Sequence, residues 1–392
     1  MIQEFWEAFR HNLFKPLLLF FYMGFLVPIL GVEFEFPHII YQGLTIYLLV
    51  SIGWHGGEEL AKLKAEEFSQ ALGFMGIGFF TNFVIGILAY FALRSFTKLR
   101  KVDAATVAGY YGSDSAGTFA TCVGVLKSLS LPYAAYMPVM LAVMEIPGCL
   151  VALYLVSRLR VAGMDALGHM PNEEGYDKDA IAPVSSEPRH HGEGQAVHEV
   201  APPGGERVAR KTPPGIFSRE LLHEVFLNPG LFLLFGGIVI GFVSQKQGDA
   251  VTGEDDQLFL KLFQGLLCLF LLEMGMTASR KLKDLKRGGW QFIAFGLVAP
   301  IVFATIGITV AHVYSMIIRE ELQLGTYVLF SVLCAAASYI AVPAVQRLAI
   351  PESSPTLPLA ASLGLTFSFN VTIGIPLYIQ LAKVLMQAFP AE

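Results

Sequence analysis

The sequence has little charge. Only 15% of its 392 residues are Asp, Glu, Lys or Arg, whereas a soluble domain has roughly 25%. Hydrophobic residues make up 54% of the chain, and the mean hydropathy is +0.56. That many apolar residues exceed what one anchor helix on a soluble domain needs. We therefore expect an all-α integral membrane protein with many spans, in direct contact with membrane lipid.

The sequence also lacks a basic face and a cysteine framework. Its one dense basic run, Arg280 to Arg287, lies between two apolar stretches, where a cytoplasmic membrane anchor is the simpler interpretation. Nucleic acid is therefore not an expected partner. The four cysteines all lie inside apolar stretches, where they act as small hydrophobic residues and predict no disulfide: Cys122, Cys149, Cys268 and Cys334.

Apolar stretches of membrane-spanning length fall into two sets of five, which predicts ten transmembrane helices. The first set lies at 16–32, 37–54, 70–94, 103–126 and 133–157, and the second at 225–243, 258–277, 290–316, 325–345 and 357–386. Between them, Pro, Gly, His and mixed charges predict a flexible linker. The expected domains are a first five-helix repeat at 1–157, a flexible cytoplasmic linker at 158–220 and a second five-helix repeat at 221–392.

Lysine and arginine residues collect on one face of the ten-span arrangement. That face carries Lys98, Arg100 and Lys101, the linker, the basic run and Arg347. Loops that keep positive residues stay in the cytoplasm. The sequence therefore predicts a multi-pass protein of the cell inner membrane, with both termini periplasmic and residues 158–220 cytoplasmic.

The two halves share short motifs in the same order. Ile52-Gly53-Trp54 is matched by Met274-Gly275-Met276, and Ile146-Pro147 is matched by Ile375-Pro376. Because each half has an odd number of spans, the second half enters from the opposite side, which makes an inverted repeat. Inverted repeats are typical of secondary transporters, which bind substrate at the repeat interface. The alternative is chance similarity among apolar helices.

Span four contains a polar, glycine-bearing string from Gly112 to Thr118, in a position that lipid disfavours. Glycines allow a helix to break, and a broken helix offers N–H groups to an anion and carbonyl groups to a cation. Asp114 is a functional candidate because an intramembrane carboxylate is costly. Its hydroxyl neighbours suit Na⁺ and a small oxyanion, although single hydroxyl residues often only pack between spans.

Three other spans supply weaker candidates. In span nine, Ser338 and Tyr339 precede Pro343, which interrupts the helix; span ten carries Thr366 and Asn370, and span five carries Glu145. The predicted substrate-binding residues are Gly112, Ser113, Ser115, Gly117, Thr118, Ser338 and Tyr339. The predicted sodium-binding residues are Asp114, Ser115, Thr118, Ser338 and Asn370, with Glu145 and Thr366 as further candidates. No catalytic residue, other metal or organic cofactor is predicted, and Na⁺ is the expected coupling ion.

The motifs resemble the sodium-dependent bicarbonate permease family, known from cyanobacterial carbon-concentrating systems. The resemblance is carried by Gly112-Ser-Asp-Ser-Ala-Gly-Thr-Phe119, Met144-Glu-Ile-Pro147, Phe270-Leu-Leu-Glu-Met-Gly275 and Ala337-Ser-Tyr-Ile-Ala-Val-Pro343. It implies two inverted five-helix repeats, core and gate domains in an elevator-type transporter, and Na⁺ and bicarbonate sites where spans four and nine cross. It also implies a homotrimer and a small PII-type cytoplasmic regulator. This chain departs from the family pattern at Ala336, Ala337 and Tyr339, so that Asp114 carries the carboxylate instead.

The leading expectation is a secondary active transporter that imports bicarbonate by symport with Na⁺. A Na⁺- or H⁺-coupled transporter of another small anion, such as a monocarboxylate, fits the same residues. An ion channel needs a continuous polar pore. An enzyme needs a nucleophile with a base, and no histidine lies near Ser115 in the sequence, so the chain is not expected to be an enzyme.

Overall fold

The computed structural model describes residues 14–178 and 229–391, and the regular elements in both ranges are helices. The first range contains α1 (Pro16–Ile29), α2 (His38–Lys62), α3 (Ala65–Phe96), α4 (Lys101–Tyr111), α5 (Ala116–Ser128), α6 (Met137–Met144) and α7 (Ile146–Val161). The second contains α8 (Pro229–Gln247), α9 (Asp249–Asp256), α10 (Phe263–Lys281), α11 (Gly289–Ile318), α12 (Leu324–Ala335), α13 (Ala341–Ala349), α14 (Leu357–Leu359) and α15 (Ile375–Ala388). Wider π-helical turns join α14 to α15 at Ala360–Phe367 and Asn370–Gly374.

Helical segments of membrane-spanning length dominate the described residues. Six are long and apolar enough to cross a membrane: Phe68–Phe96, Met137–Val161, Pro229–Gln247, Asp249–Leu285, Gly289–Ile318 and Leu357–Ala388. Two shorter apolar helices, α1 and α12, accompany them. Helices satisfy their own backbone hydrogen bonds, which a hydrocarbon environment requires. The structure fits the multi-pass membrane protein expected from the low charge.

Glycines set the spacing of two helix pairs, α2 with α8 and α1 with α10. A Cβ atom at Gly53 or Gly57 in α2 would overlap the backbone of α8. In the same way, Gly24 in α1 meets the backbone of α10, and Gly275 in α10 meets the backbone of α1. Small residues let membrane helices approach closely, which strengthens packing where no expulsion of water drives association. These four helices form one group, which we call the paired group.

The remaining long helices enclose α4, α5 and α12. α4 packs against α3 and α7, while α12 packs against α11 and α15. Residues 102–111 of α4, 116–126 of α5 and 325–335 of α12 are all buried. The gaps after α4 and after α12 therefore lie in the interior, away from lipid.

The start of the predicted linker packs against helix ends. The Asp165 carboxylate accepts hydrogen bonds from three backbone N–H groups, those of Leu167 (3.0 Å), His169 (2.7 Å) and Asp177 (3.0 Å). Burial raises the pKa of Asp165, but these hydrogen bonds outweigh it and leave the pKa below its ordinary value. Nearby, Arg160 forms a bidentate ion pair with Glu352, at 2.9 and 2.8 Å. Most of the 158–220 linker lies outside the described residues.

Candidate functional site

The first helix break separates α4 from α5 at residues 112–115, as the glycine-bearing string predicts. Ser115 is the N-cap of α5, and its Oγ accepts hydrogen bonds from the Thr118 N–H at 3.3 Å and the Thr118 hydroxyl at 3.0 Å. Serine is a favoured N-cap because its oxygen satisfies one of the N–H groups left free in the first turn. The residues predicted to bind substrate in this string therefore form the break and the start of α5 in the protein interior.

The second helix break separates α12 from α13 at residues 336–340. The Ser338 hydroxyl accepts a hydrogen bond from the Val342 N–H in the first turn of α13, at 3.4 Å. The Ser338 N–H donates to the carbonyl oxygen of Tyr110, near the end of α4, at 2.9 Å. After each break, a serine hydroxyl thus accepts a hydrogen bond from the first turn of the next helix, and the two breaks are in direct contact.

Four helix ends meet where the breaks touch. α5, of 13 residues, and α13, of 9 residues, begin there, while α4 and α12 end there. The first N–H groups of a helix have no intrahelical partner, and the helix dipole makes this end attractive to anions. The carbonyl ends of α4 and α12 attract cations for the same reason. We call the place where the breaks at 112–115 and 336–340 touch the crossing. Its helix ends can attract an anion and a cation side by side.

Asp114 lies in the first break with its side chain fully buried. Neither carboxylate oxygen has a hydrogen-bond partner among the residues that the structure describes. Glu145 and Cys334 are near enough to interact with it electrostatically. An ionised carboxylate away from water is costly without a compensating partner. Asp114 is therefore the strongest candidate for a group that receives a cation.

Glu145 lies between α6 and α7, beside the first break. Its carbonyl oxygen accepts a hydrogen bond from the Ser113 hydroxyl, so Ser113 holds the break against this junction. Asn82 in α3 donates to the carbonyl oxygen of Met144 at 2.9 Å, and its own Oδ1 has no partner within the described ranges. Asn82 was not predicted as a site residue. The sequence signal that could have found it is a polar amide in an otherwise apolar span.

Tyr339 and Gly117 bring the two breaks into side-chain contact. The Tyr339 hydroxyl lies so close to Gly117 that a Cβ atom there would overlap it. That hydroxyl is buried and lies near enough to Ser115 to interact with its side chain. The Tyr339 ring packs edge-on against Phe367, with 5.4 Å between ring centroids. Tyr339 thus places its hydroxyl beside the start of α5.

Asn370 and Thr366 form hydrogen bonds that join the last span to neighbouring helices. Asn370 donates to the carbonyl oxygen of Ala335 at 3.0 Å and accepts from the Tyr378 hydroxyl at 2.7 Å. It therefore lies at the second break with both ends of its amide engaged. Thr366 donates to the Gly296 carbonyl at 3.0 Å and lies 2.6 Å from the Tyr111 hydroxyl. Thr366 therefore contacts Tyr111, the last residue before the first break.

A small cavity separates the crossing from the paired group. Its walls include Leu48 and Ile52 of α2, Gly117 of α5, Phe270 of α10 and Ile340 of the second break. Its volume of about 10 Å³ has room for about one water molecule. A polyatomic anion fits here only after the paired group and the crossing move apart.

Gly148 allows α7 to lie directly against the first break. A Cβ atom there would overlap the Gly109 carbonyl and come within 2.6 Å of the Ser113 nitrogen. We predict that Gly148→Ala destabilises the protein by about 1–3 kcal/mol because it overpacks this contact. Thermal unfolding in detergent measures the effect. The matched control is Gly76→Ala in α3, where a Cβ atom meets nothing within 4 Å. Equal melting temperatures for both variants would contradict the close packing.

Comparison with known families gives one match. A family model described as the Na⁺-dependent bicarbonate transporter superfamily matches residues 16–383. The matched region contains both helix breaks and the helices around them. No curated protein matches the chain significantly. The resemblance that the motifs indicate is therefore confirmed at the level of the family.

Proposed function

The chain belongs to the Na⁺-dependent bicarbonate transporter superfamily, and on that basis we propose that it is a secondary active transporter that imports bicarbonate by symport with Na⁺. One observation carries this proposal above the others. Two helix starts, two helix ends and the unpartnered carboxylate of Asp114 meet where the two buried breaks touch. Those groups offer opposite electrostatic environments within one site.

In the proposed mechanism, Na⁺ binds near Asp114 and the carbonyl ends of α4 and α12. Oxygen donors suit hard cations, and the Ser115 and Thr118 hydroxyls, 3.0 Å apart at the start of α5, are oxygen donors that follow Asp114 in the chain. Bicarbonate binds at the free N–H groups that begin α5 and α13. Each ion offsets the charge of the other, so they bind together more favourably than either does alone.

We further propose ten spans arranged as two inverted five-helix repeats. The helix pairs support this symmetry, because exchanging the halves turns the α1–α10 pair into the α8–α2 pair. The two breaks, at 112–115 and 336–340, exchange in the same way. The paired group would be the gate domain and the helices around the crossing the core domain, which moves as an elevator. The small cavity between them marks their interface.

The proposed topology places the protein in the cell inner membrane, with both termini periplasmic and residues 158–220 cytoplasmic. Arg100, Arg160 and the start of the predicted linker lie together at one end of the structure. Arg100 donates to the Leu167 carbonyl at 2.6 Å, and Arg160 pairs with Glu352. A cluster of arginines at one membrane face favours a cytoplasmic location.

Thiol labelling checks this topology. We predict that Gln195→Cys stays unlabelled by an impermeant maleimide added outside intact cells, because the linker is cytoplasmic. Glu254→Cys, in the exposed α9, is the matched control and should be labelled. The four native cysteines are buried, so background reaction should be low. External labelling at position 195 would overturn the orientation.

The oligomer and the regulator are proposals that rest on the family resemblance. We propose a homotrimer, and a small PII-type protein as a cytoplasmic regulator. Native mass spectrometry of the detergent-solubilised protein tests the first, and co-purification of a PII-type protein tests the second.

A second candidate substrate has one observation in its favour. The cavity beside the crossing is lined by apolar side chains such as Leu48, Ile52 and Phe270, which suit the hydrocarbon end of a small monocarboxylate. Uptake of labelled bicarbonate, formate, acetate and nitrate into proteoliposomes, with and without a Na⁺ gradient, separates the candidates. Na⁺-driven, saturable uptake of bicarbonate supports the proposal. Preferred uptake of acetate would support the monocarboxylate transporter instead. Non-saturating flux without Na⁺ would indicate a channel.

A further inference from the structure

A larger cavity, of about 400 Å³, opens at the end of the structure where α2 and α5 end. His55 and Glu59 of α2 form one side of it, and Lys127 of α5 forms another. The segment that follows α5, including Ser130 and Tyr133, completes the wall. We call this the outer cavity. In the proposed orientation it faces the periplasm.

The outer cavity continues inward. A narrow cavity of about 10 Å³ shares His55, Lys127 and Tyr133 with it and reaches Ser51 and Ile52 one turn deeper in α2. Ile52 is also a wall of the small cavity beside the helix breaks. The three cavities therefore follow one another from the surface to the crossing. The two inner ones have room for about one water molecule each, so the line is constricted in this structure.

Three polar side chains line the narrow cavity. Ser51 is only 1% exposed and lies one turn deeper in α2 than His55. The Lys127 ammonium lies 5.4 Å from the centre of the Phe263 ring and forms no ion pair within the described part of the chain. A hydroxyl, an imidazole and an ammonium thus face one route.

Two carboxylates stand near this route, and both have basic neighbours. Glu59 pairs with Lys62 at 2.7 Å. The Glu58 carboxylate lies 3.9 Å from Nδ1 of His55. Of the charged side chains that line the outer cavity, Glu59 is thus paired, whereas Lys127 forms no ion pair among the described residues and favours anions over cations there.

We propose that these cavities form the route by which the anion reaches the helix breaks. Lys127 attracts a small monovalent oxyanion at the mouth, and His55 and Ser51 are its next contacts. The identity of that anion rests on the proposed function, whereas the charge selectivity of the route does not. Lys127 acts by raising the local anion concentration and contributes little to the cation site.

Thiol modification tests the selectivity of the route. Ser51→Cys is placed in the full-length protein, and its rates of reaction with an anionic sulfonate and a cationic trimethylammonium methanethiosulfonate are compared. We expect the ratio of anionic to cationic rates to fall by about threefold or more when Lys127→Gln is added, and to be retained with Lys127→Arg. Added inert salt should reduce the ratio in the presence of Lys127 only.

Lys246→Gln is the matched control for loss of a charge. Lys246 lies at the same end of the structure and 5.5 Å from the centre of the Phe242 ring, but it lines none of these cavities. Its removal should leave the ratio unchanged. An unchanged ratio in Lys127→Gln, an equal fall in Lys246→Gln, or no reaction of either reagent at position 51 would overturn the proposed route.

A transport measurement separates this proposal from the proposed function. In proteoliposomes, Lys127→Gln should raise the half-saturating bicarbonate concentration by about threefold or more and leave the half-saturating Na⁺ concentration unchanged. A lower maximal rate with unchanged half-saturation would contradict the role of Lys127. Absence of bicarbonate uptake by the wild type would contradict the proposed function, while the thiol rates would still decide the route.

Discussion

Asp114→Asn is expected to remove most of the Na⁺ activation of uptake while the protein stays folded. The carboxylate is buried, has no hydrogen-bond partner among the described residues and lies where two helix ends present carbonyl groups. Replacing it with a neutral amide of similar size removes the charge that we propose to hold the cation and leaves the packing almost unchanged. The half-saturating Na⁺ concentration should rise by about tenfold or more, which corresponds to about 1.4 kcal/mol of lost binding.

Initial uptake rate against Na⁺ concentration, at matched membrane insertion, measures this effect. The control is Glu273→Gln in α10, which also removes an intramembrane carboxylate. Glu273 accepts a hydrogen bond from the Thr277 hydroxyl at 2.8 Å and lies in α10 of the paired group. Its substitution should leave Na⁺ activation close to that of the wild type. If Asp114→Asn changes neither the half-saturating concentration nor the maximal rate, Asp114 is not part of the cation site.

Gly117→Ala is expected to close the crossing and abolish most uptake. The added Cβ atom would overlap the Tyr339 hydroxyl and lie 2.9 Å from Cε1 of Phe270. The cost of overpacking is about 1–3 kcal/mol, which should also lower the melting temperature. Because the hydroxyl is the nearest obstacle, Tyr339→Phe in the same chain should recover much of the lost stability.

A double-mutant cycle on melting temperature and uptake tests that contact. Tyr339→Phe alone gives the reference for loss of the hydroxyl, and Gly236→Ala in α8 gives the reference for a methyl group in open space. The two substitutions should be strongly non-additive in stability. Additive effects would show that Gly117 and Tyr339 do not meet as the structure places them.

The sequence predicted the first break because its signal was local. Two glycines, a carboxylate and several hydroxyls within Gly112–Thr118 conflict with an apolar helix, and an interrupted helix satisfies them. Ser338 was predictable from the same kind of conflict beside Pro343. Contacts between distant residues left no such signal. The hydrogen bond from the Ser338 N–H to Tyr110 and the contact of Tyr339 with Gly117 depend on how the two halves pack.

Residues that form the surroundings of the site were harder to interpret from sequence. Asn370 and Thr366 are predicted site residues because both are polar in an apolar span, and that role stays a prediction. Their hydrogen bonds to Ala335, Tyr378 and Gly296 could not be predicted, because they join residues of different helices or turns. The π-helical turns in the last span were also invisible, because an extra residue in a turn does not change the hydrophobic composition that marks a span.

Mutual dependence of Na⁺ and bicarbonate binding follows directly from placing both ions at one crossing. Calorimetric titration of the detergent-solubilised protein measures bicarbonate affinity in Na⁺ and in choline, and Na⁺ affinity with and without bicarbonate. We predict that each ion tightens the binding of the other by the same factor, about tenfold or more, since coupling free energies are reciprocal. Asp114→Asn should abolish that factor. Bicarbonate binding of equal affinity in Na⁺ and in choline would contradict a shared site at the two helix breaks.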